Sequence, residues 1–145
     1  MIKEEWLKDD KLHRENDFPA LIRYNYWNKR VKKESLFKDG KLHREGDFPA
    51  VIYYSWIGNE VKILGTIWFK NNEIHRERDL PAVIYYFENG NKKEEHWNLN
   101  TKYYYRLNRN PCVITYHENG KIKSNFHRSL KDACTAIEET SCSIL

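Results

Sequence analysis

The feature that most constrains this chain is an eight-residue block, His-Arg-x-x-Asp-x-Pro-Ala, that occurs three times and then once more in altered form. It reads His13-Arg14-Glu15-Asn16-Asp17-Phe18-Pro19-Ala20, then His43-Arg44-Glu45-Gly46-Asp47-Phe48-Pro49-Ala50, then His75-Arg76-Glu77-Arg78-Asp79-Leu80-Pro81-Ala82. The altered copy, Tyr105-Arg106-Leu107-Asn108-Arg109-Asn110-Pro111-Cys112, keeps Arg and Pro five apart but loses His, Asp and Ala. Successive blocks start 30, 32 and 30 residues apart. Self-similarity at that period specifies a stacked array, because each unit is one supersecondary element that cannot bury its apolar face alone. Units of about 6–35, 36–67, 68–97 and 98–127 nearly fill the 145 residues, so one repeat domain spanning 1–145 is expected.

The residues after each Pro set the fold class. Ala20-Ile22-Tyr24-Tyr26, Ala50-Ile52-Tyr54-Trp56, Ala82-Ile84-Tyr86 and Cys112-Ile114-Tyr116 recur with period two, which places each set on one face of a strand. The intervening positions vary more, from Leu21-Arg23-Asn25 to Val83-Tyr85-Phe87, so the Ala-Ile-Tyr stripe is expected to face inward. Asn89-Gly90 and Asn119-Gly120 signal tight hairpins of type I′, whose two central residues both need positive φ. Gly58-Asn59 and Asn28-Lys29 take the same place in the earlier units. Return strands are expected over 31–37, 61–69, 92–97 and 122–126, with a longer hairpin or a bulge at Gly65 where the longer interval falls. A second class of turn, Asp9-Asp10, Asp39-Gly40 and Asn71-Asn72, leads back to the next block.

The expected fold is therefore mainly β: an array of consecutive antiparallel hairpins forming a meandering sheet. Ser129-Leu130-Lys131-Asp132 has capping-box form, and Leu130, Cys134 and Ile137 follow near helical spacing. A short amphipathic helix over about 130–140 is expected to cap the array. No matching cap precedes the first unit, which leaves an exposed sheet edge.

The His-Arg-x-x-Asp block looks catalytic in isolation. Arg and Asp three apart in a turn can pair, and His can bond a backbone carbonyl or an Asp of its own or the adjacent unit. A metal ladder through His13, His43 and His75 is the other functional reading, but no thiolate accompanies it. Recurrence decides the matter, since an enzyme needs one constellation whereas a stacking solution repeats at every interface. His13, Arg14, Asp17, Pro19, His43, Arg44, Asp47, Pro49, His75, Arg76, Asp79 and Pro81 are thus expected to be structural joints, with Arg106 and Pro111 their remnants in the altered copy. No Gly-rich phosphate loop or nucleophile motif occurs elsewhere, so no enzyme, cofactor or metal is expected. Tyr53, Tyr85, Phe87 and the run Tyr103-Tyr104-Tyr105 form a candidate interaction surface. Such aromatics suit stacking on single-stranded nucleic acid, but burial against the helix or a second subunit is the favoured reading.

Net charge is +4, with Lys and Arg alternating with Asp and Glu, which describes a mixed solvated surface rather than a dedicated nucleic-acid binder. Cys112, Cys134 and Cys142 contain no C-x-x-C pair and fit a reducing compartment. No apolar run reaches the roughly 18 residues needed to span a bilayer, and the first residues carry no hydrophobic signal core. A soluble, intracellular protein without a transmembrane segment is expected.

The pattern Trp/Phe-Lys-x-x-x-x-His-Arg-x-x-Asp-x-Pro-Ala-x-Ile-x-Tyr, as in Trp68-Phe69-Lys70 through His75 to Tyr86, resembles the MORN-like repeats of giant DNA viruses of the Marseillevirus group. It is more remotely similar to bacterial MORN-variant repeats. The resemblance covers about residues 6–127 and implies a β-hairpin array in a host cytoplasm or virion. It supplies no catalytic residue. MORN repeats at large are associated with scaffolding, self-association and membrane apposition, but their usual pattern is richer in Tyr and Gly at a shorter period.

The leading expectation is a non-enzymatic repeat scaffold acting through contacts with a protein partner and with itself, as a homo-oligomer, dimer first. A nucleic-acid-associated protein is the alternative, and peripheral membrane association a further one.

Overall fold

The computed structural model describes residues 2–99, 102–103 and 111–126. The chain opens with β1 (Ile2–Glu5), then a short ribbon of β2 (Leu7–Lys8) and β3 (Lys11–Leu12). One order then repeats. Strands β4 (Leu21–Tyr24) and β5 (Val31–Ser35) form a hairpin, and β6 (Phe37–Lys38) and β7 (Lys41–Leu42) a ribbon. Next come β8 (Val51–Ile57), β9 (Glu60–Ile67) and the ribbon of β10 (Phe69–Lys70) and β11 (Glu73–Ile74). The third hairpin is β12 (Val83–Tyr86) and β13 (Lys92–His96), followed by the ribbon β14 (Asn98–Leu99) and β15 (Lys102–Tyr103). A last hairpin of β16 (Val113–Tyr116) and β17 (Ile122–Phe126) completes the order. The hairpins and β1 make one nine-stranded sheet in the order β1-β4-β5-β8-β9-β12-β13-β16-β17, every neighbouring pair antiparallel. This is the meandering hairpin array the repeats predict. The helix expected over 130–140 lies outside the described residues.

The return strands break one residue before each ribbon, at Leu36 and Trp68, where an unbroken strand was expected. The break has a backbone reason. Each break residue donates its N–H to the carbonyl of the next block's Ala and accepts the N–H of its His. The pairs are Trp6 with Ala20 and His13, Leu36 with Ala50 and His43, and Trp68 with Ala82 and His75, all between 2.8 and 3.2 Å. The Ala in turn donates its N–H to the following return strand, at 3.0, 2.9 and 2.8 Å for Ala20, Ala50 and Ala82. All three alanines are fully buried there, and Cys112 in the altered copy is nearly so.

The core lies on the face opposite the one expected. Val51, Ile67 and Val83 form the buried cluster, with Leu42, Phe69 and Ile74 of the ribbons and Tyr53 and Tyr85 of the sheet packed against it. The ribbons thus cover the Val-Tyr face. On the Ala-Ile-Tyr face the alanines and Ile84 are buried, while Ile22 and Ile52 are half-buried.

The type I′ turns fall in the second class of turn rather than at Asn-Gly. Asp9 and Asp10, Asp39 and Gly40, and Asn71 and Asn72 all have φ between 50° and 79°, the paired positive values of a type I′ turn. In the Asn-Gly hairpins only the glycines, Gly90 and Gly120, are positive, at 87° and 82°. Their N–H groups bond Phe87 and His117 carbonyls at 2.9 Å, which is a type I turn closed by a glycine bulge. A separate register shift lies deeper in all four sheet hairpins, where the return strand skips Lys32, Leu64, Lys93 or Lys123. The longer interval is taken up by the longer strands β8 and β9, the longer hairpin that was one of the two expectations.

Candidate functional site

Each block is a tight turn that aims its acidic residue at the next block. Asn16 and Asp17 have φ of 60° and 59°, and Arg78 and Asp79 of 61° and 54°. Short polar side chains tolerate this region best, and Gly46 meets the same demand in the second block at 71°. The turn aims Asp17 at Arg44 of the following unit. The guanidinium takes it in a fork, Nε to Oδ1 at 2.9 Å and Nη2 to Oδ2 at 2.6 Å. Arg76 grips Asp47 the same way, at 2.6 and 2.9 Å. The pairing runs between blocks, not within one as the spacing of three suggested. A shared bidentate geometry makes each contact directional as well as attractive. The Arg76 guanidinium beside Asp47 holds that carboxyl below its usual range, against a smaller opposing effect of burial.

The remaining guanidinium nitrogen closes the block on itself. Nη1 of Arg14, Arg44 and Arg76 donates to the carbonyls of Pro19, Pro49 and Pro81 at 3.2, 3.1 and 3.1 Å. The guanidinium face stacks on aromatics: Arg14 on Trp6 at 3.8 Å and Phe18 at 5.0 Å, Arg44 on Phe48 at 5.0 Å, Arg76 on Trp68 at 3.8 Å. Cation–π contact and the carbonyl bond together fix the arginine before any carboxylate arrives.

The histidines work across the same boundary. Nδ1 of His13 accepts the backbone N–H of Asp39 at 3.1 Å, and Nδ1 of His43 accepts that of Asn71 at 3.3 Å. Nε2 of the two rings lies 2.9 Å from Glu15 and 3.1 Å from Glu45. The ribbon turns lock onto their predecessors through the backbone too, Gly40 N–H to Leu12 and Asn72 N–H to Leu42, both at 2.9 Å. As expected for an Asp of the adjacent unit, the His13 ring also meets Asp39, Nδ1 lying 3.0 Å from its Oδ1.

A third contact set was not singled out from the sequence. Lys8, Lys38 and Lys70 reach Glu15, Glu45 and Glu77 at 3.2, 3.0 and 3.2 Å. Lys8 first and His13 second hold the Glu15 carboxyl low, and Lys38 and His43 do the same to Glu45. The signal was present as a constant Lys-to-Glu spacing of seven in all three blocks. On the other face of the sheet, Tyr54 donates to Glu34 at 2.7 Å and Tyr116 to Glu95 at 2.5 Å. Burial first, and the carboxylate second, push the Tyr116 hydroxyl up to about 12 and that of Tyr54 higher still.

Clefts of about 310 and 430 Å³ open between successive blocks, lined by these same paired side chains. Among the described residues no three His, Cys, Asp or Glu side chains are grouped to hold a metal ion. Of the aromatic surface, Tyr53 and Tyr85 are packed against the core cluster rather than turned outward, and Phe87 is half-buried with Lys93 over it at 5.9 Å. Tyr103 lies in β15, while Tyr104, Tyr105 and Arg106 fall outside the described residues. Cys112 places its thiol on the Phe126 carbonyl at 3.4 Å, and the neighbouring Pro111 is half-buried. Among the described residues the most exposed large aromatic is Trp27, at 86%, on the hairpin tip between β4 and β5, which the alternation pattern gave no reason to select.

Compared with family models, curated proteins and solved structures, the chain matches none.

Proposed function

We propose that this chain is a non-enzymatic repeat scaffold that works through protein–protein contacts and self-associates as a dimer. The observation that carries the reading is that the chemically conspicuous residues, His, Arg and Asp of each block, are engaged with the neighbouring block in the same way at successive boundaries. They serve as joints of the array. On this reading the chain belongs with the MORN-like repeats of giant DNA viruses that it resembles and acts in a host cytoplasm or virion.

Sheet topology supports a two-fold dimer. Strands β1, β5, β9, β13 and β17 all run in one direction, since they alternate with antiparallel neighbours. Head-to-tail stacking of copies would set β17 beside a parallel β1, whereas pairing β17 with its own copy about a two-fold axis continues the antiparallel ladder. The edge β17 suits this, with Ile122 and Phe126 more than half exposed and Lys123 its single charge. Edge β1 carries Lys3, Glu4 and Glu5, the kind of charged edge that resists self-pairing. Light scattering across a concentration series should report a dimer, and the double substitution Ile122→Lys with Phe126→Lys should give a monomer of unchanged circular dichroism. A wild-type chain that stays monomeric at high concentration would refute self-association.

A second reading, nucleic-acid association, is favoured by one feature: Trp27 stands exposed against Tyr26, edge to face at 5.3 Å, with Lys29 beside that ring at 5.9 Å. Binding of single-stranded DNA that weakens with salt and is lost in Trp27→Ala would support it.

A further inference from the structure

Arg14 is built like Arg44 and Arg76 but is missing what they hold. Its Nη1 bonds the Pro19 carbonyl, and its guanidinium lies 3.8 Å from the Trp6 ring and 5.0 Å from the Phe18 ring. At Arg44 and Arg76 the same arrangement delivers Nε and Nη2 to a carboxylate of the preceding block. Among the described residues, no carboxylate reaches Arg14. The fork is already oriented, so a carboxylate arriving there need not order the side chain first.

The surroundings repeat the pattern. The turn Asp9-Asp10 corresponds to Asp39-Gly40, whose N–H groups are taken by the His13 ring and the Leu12 carbonyl. Among the described residues nothing accepts the N–H groups of Asp9 and Asp10. Nor does any strand pair with the outer edge of β1. One end of the array therefore presents a guanidinium fork, two turn N–H groups and a strand edge together. These four features are what His13, Leu12, Asp17 and β4 satisfy for the next unit.

We propose that this end is a docking site for a different protein, one that offers an aspartate in a tight turn followed by a free strand, with Arg14 taking the aspartate. The proposal rests on the scaffold reading above. A second copy does not carry the matching face. Asp17 and Asp47 are consumed by Arg44 and Arg76. The altered block has Arg109 where the aspartate would be and Tyr105 where the histidine would be. Furthermore, β17 already fills the place beside β16 that β1 of an incoming copy would need, because β1 and β17 are equivalent return strands. The occupied strand position turns a second copy away.

The test titrates the full chain with a synthetic twelve-residue peptide that copies residues 13–24, a block with its outgoing strand. The readout is the side-chain Nε–H resonance of Arg14. We expect that resonance to shift and saturate, and Arg14→Gln or a peptide with Asn at the Asp17 position to weaken binding at least about tenfold, the loss of one charge-assisted pair. No shift at millimolar peptide, or equal binding by the Asn peptide, would overturn the proposal while leaving the β17 dimer untouched. If Arg14→Gln instead turned the dimer into a monomer, the occupant would be a second copy and the proposal would fail.

Discussion

Arginine at the block centre does three jobs that lysine could not do at once: it closes its own turn, stacks on an aromatic and forks onto a neighbour's carboxylate. The planar guanidinium has donors on three edges and a weakly hydrated face, whereas an ammonium is a point charge. The aromatics share the load unevenly. The second block has Leu36 where the others have Trp and relies on Phe48, and the third has Leu80 where the others have Phe and relies on Trp68. Each block keeps at least one ring. The Asp47–Arg76 pair gives the sharpest residue-level prediction. Asp47 has its pKa depressed by Arg76, so its contribution to stability is present above the unfolded carboxyl value of about 3.9 and is lost as pH falls through the lower folded value. The Asp47 side chain is about half exposed, at 54%, so solvent screening limits the pair to about 1 kcal/mol. Urea unfolding of Asp47→Asn should show that deficit at pH 7 and a shrinking one below about pH 4. A deficit that stayed constant across this range would mean the carboxylate charge is not what binds the blocks.

At the level of elements, the sequence disclosed strand positions, hairpin order and both turn sites, because period-two alternation and positive-φ residues are local signals. It did not disclose which face is the core. Leu21, Val51 and Val83 alternate as cleanly as Ile22, Ile52 and Ile84, so both faces read as apolar. The choice is made by the ribbons, which are too short to carry a pattern of their own and yet bring Leu42, Phe69 and Ile74 onto the Val face. The Asn-Gly turn type was missed for a related reason: Asn-Gly permits type I′ but also a type I turn with a glycine bulge, and positive φ at the glycine alone settles on the second. The joints were legible as joints through recurrence, but their partners lie 27 and 29 residues away and local spacing pointed within the block. Gly65 shows what packing adds. It sits opposite Tyr53 on one side and Tyr85 on the other, where the corresponding residues of other units are Lys33 and Glu94. A Cβ there would come within 2.8 Å of the Tyr85 ring, which itself packs on the core cluster. Gly65→Ala should therefore destabilise the fold by about 1–3 kcal/mol, the usual range for overpacking, despite the higher strand propensity of alanine. An unchanged or raised melting temperature would show that the ring can move aside freely.

For the whole molecule, an array in which each unit touches only its neighbours has no single centre, and its stability is graded along the sheet. The buried cluster of Val51, Ile67 and Val83 lies between β8, β9 and β12, whereas every residue of β17 is exposed and β1 is nearly so. Amide exchange in dilute protein should be slowest in β8, β9 and β12 and at least about tenfold faster in β1 and β17, a difference of about 1.4 kcal/mol in opening free energy. The two edges should then part company as concentration rises. Pairing of β17 with its own copy protects its outward N–H groups by mass action, while β1, with its three charges and its place beside Arg14, gains nothing from a second copy. Protection that grows with concentration in β17 alone would assign the two ends different partners, one a copy and one not. Growth at both ends, or at β1 alone, would refute that division and return the array to a simple self-associating sheet.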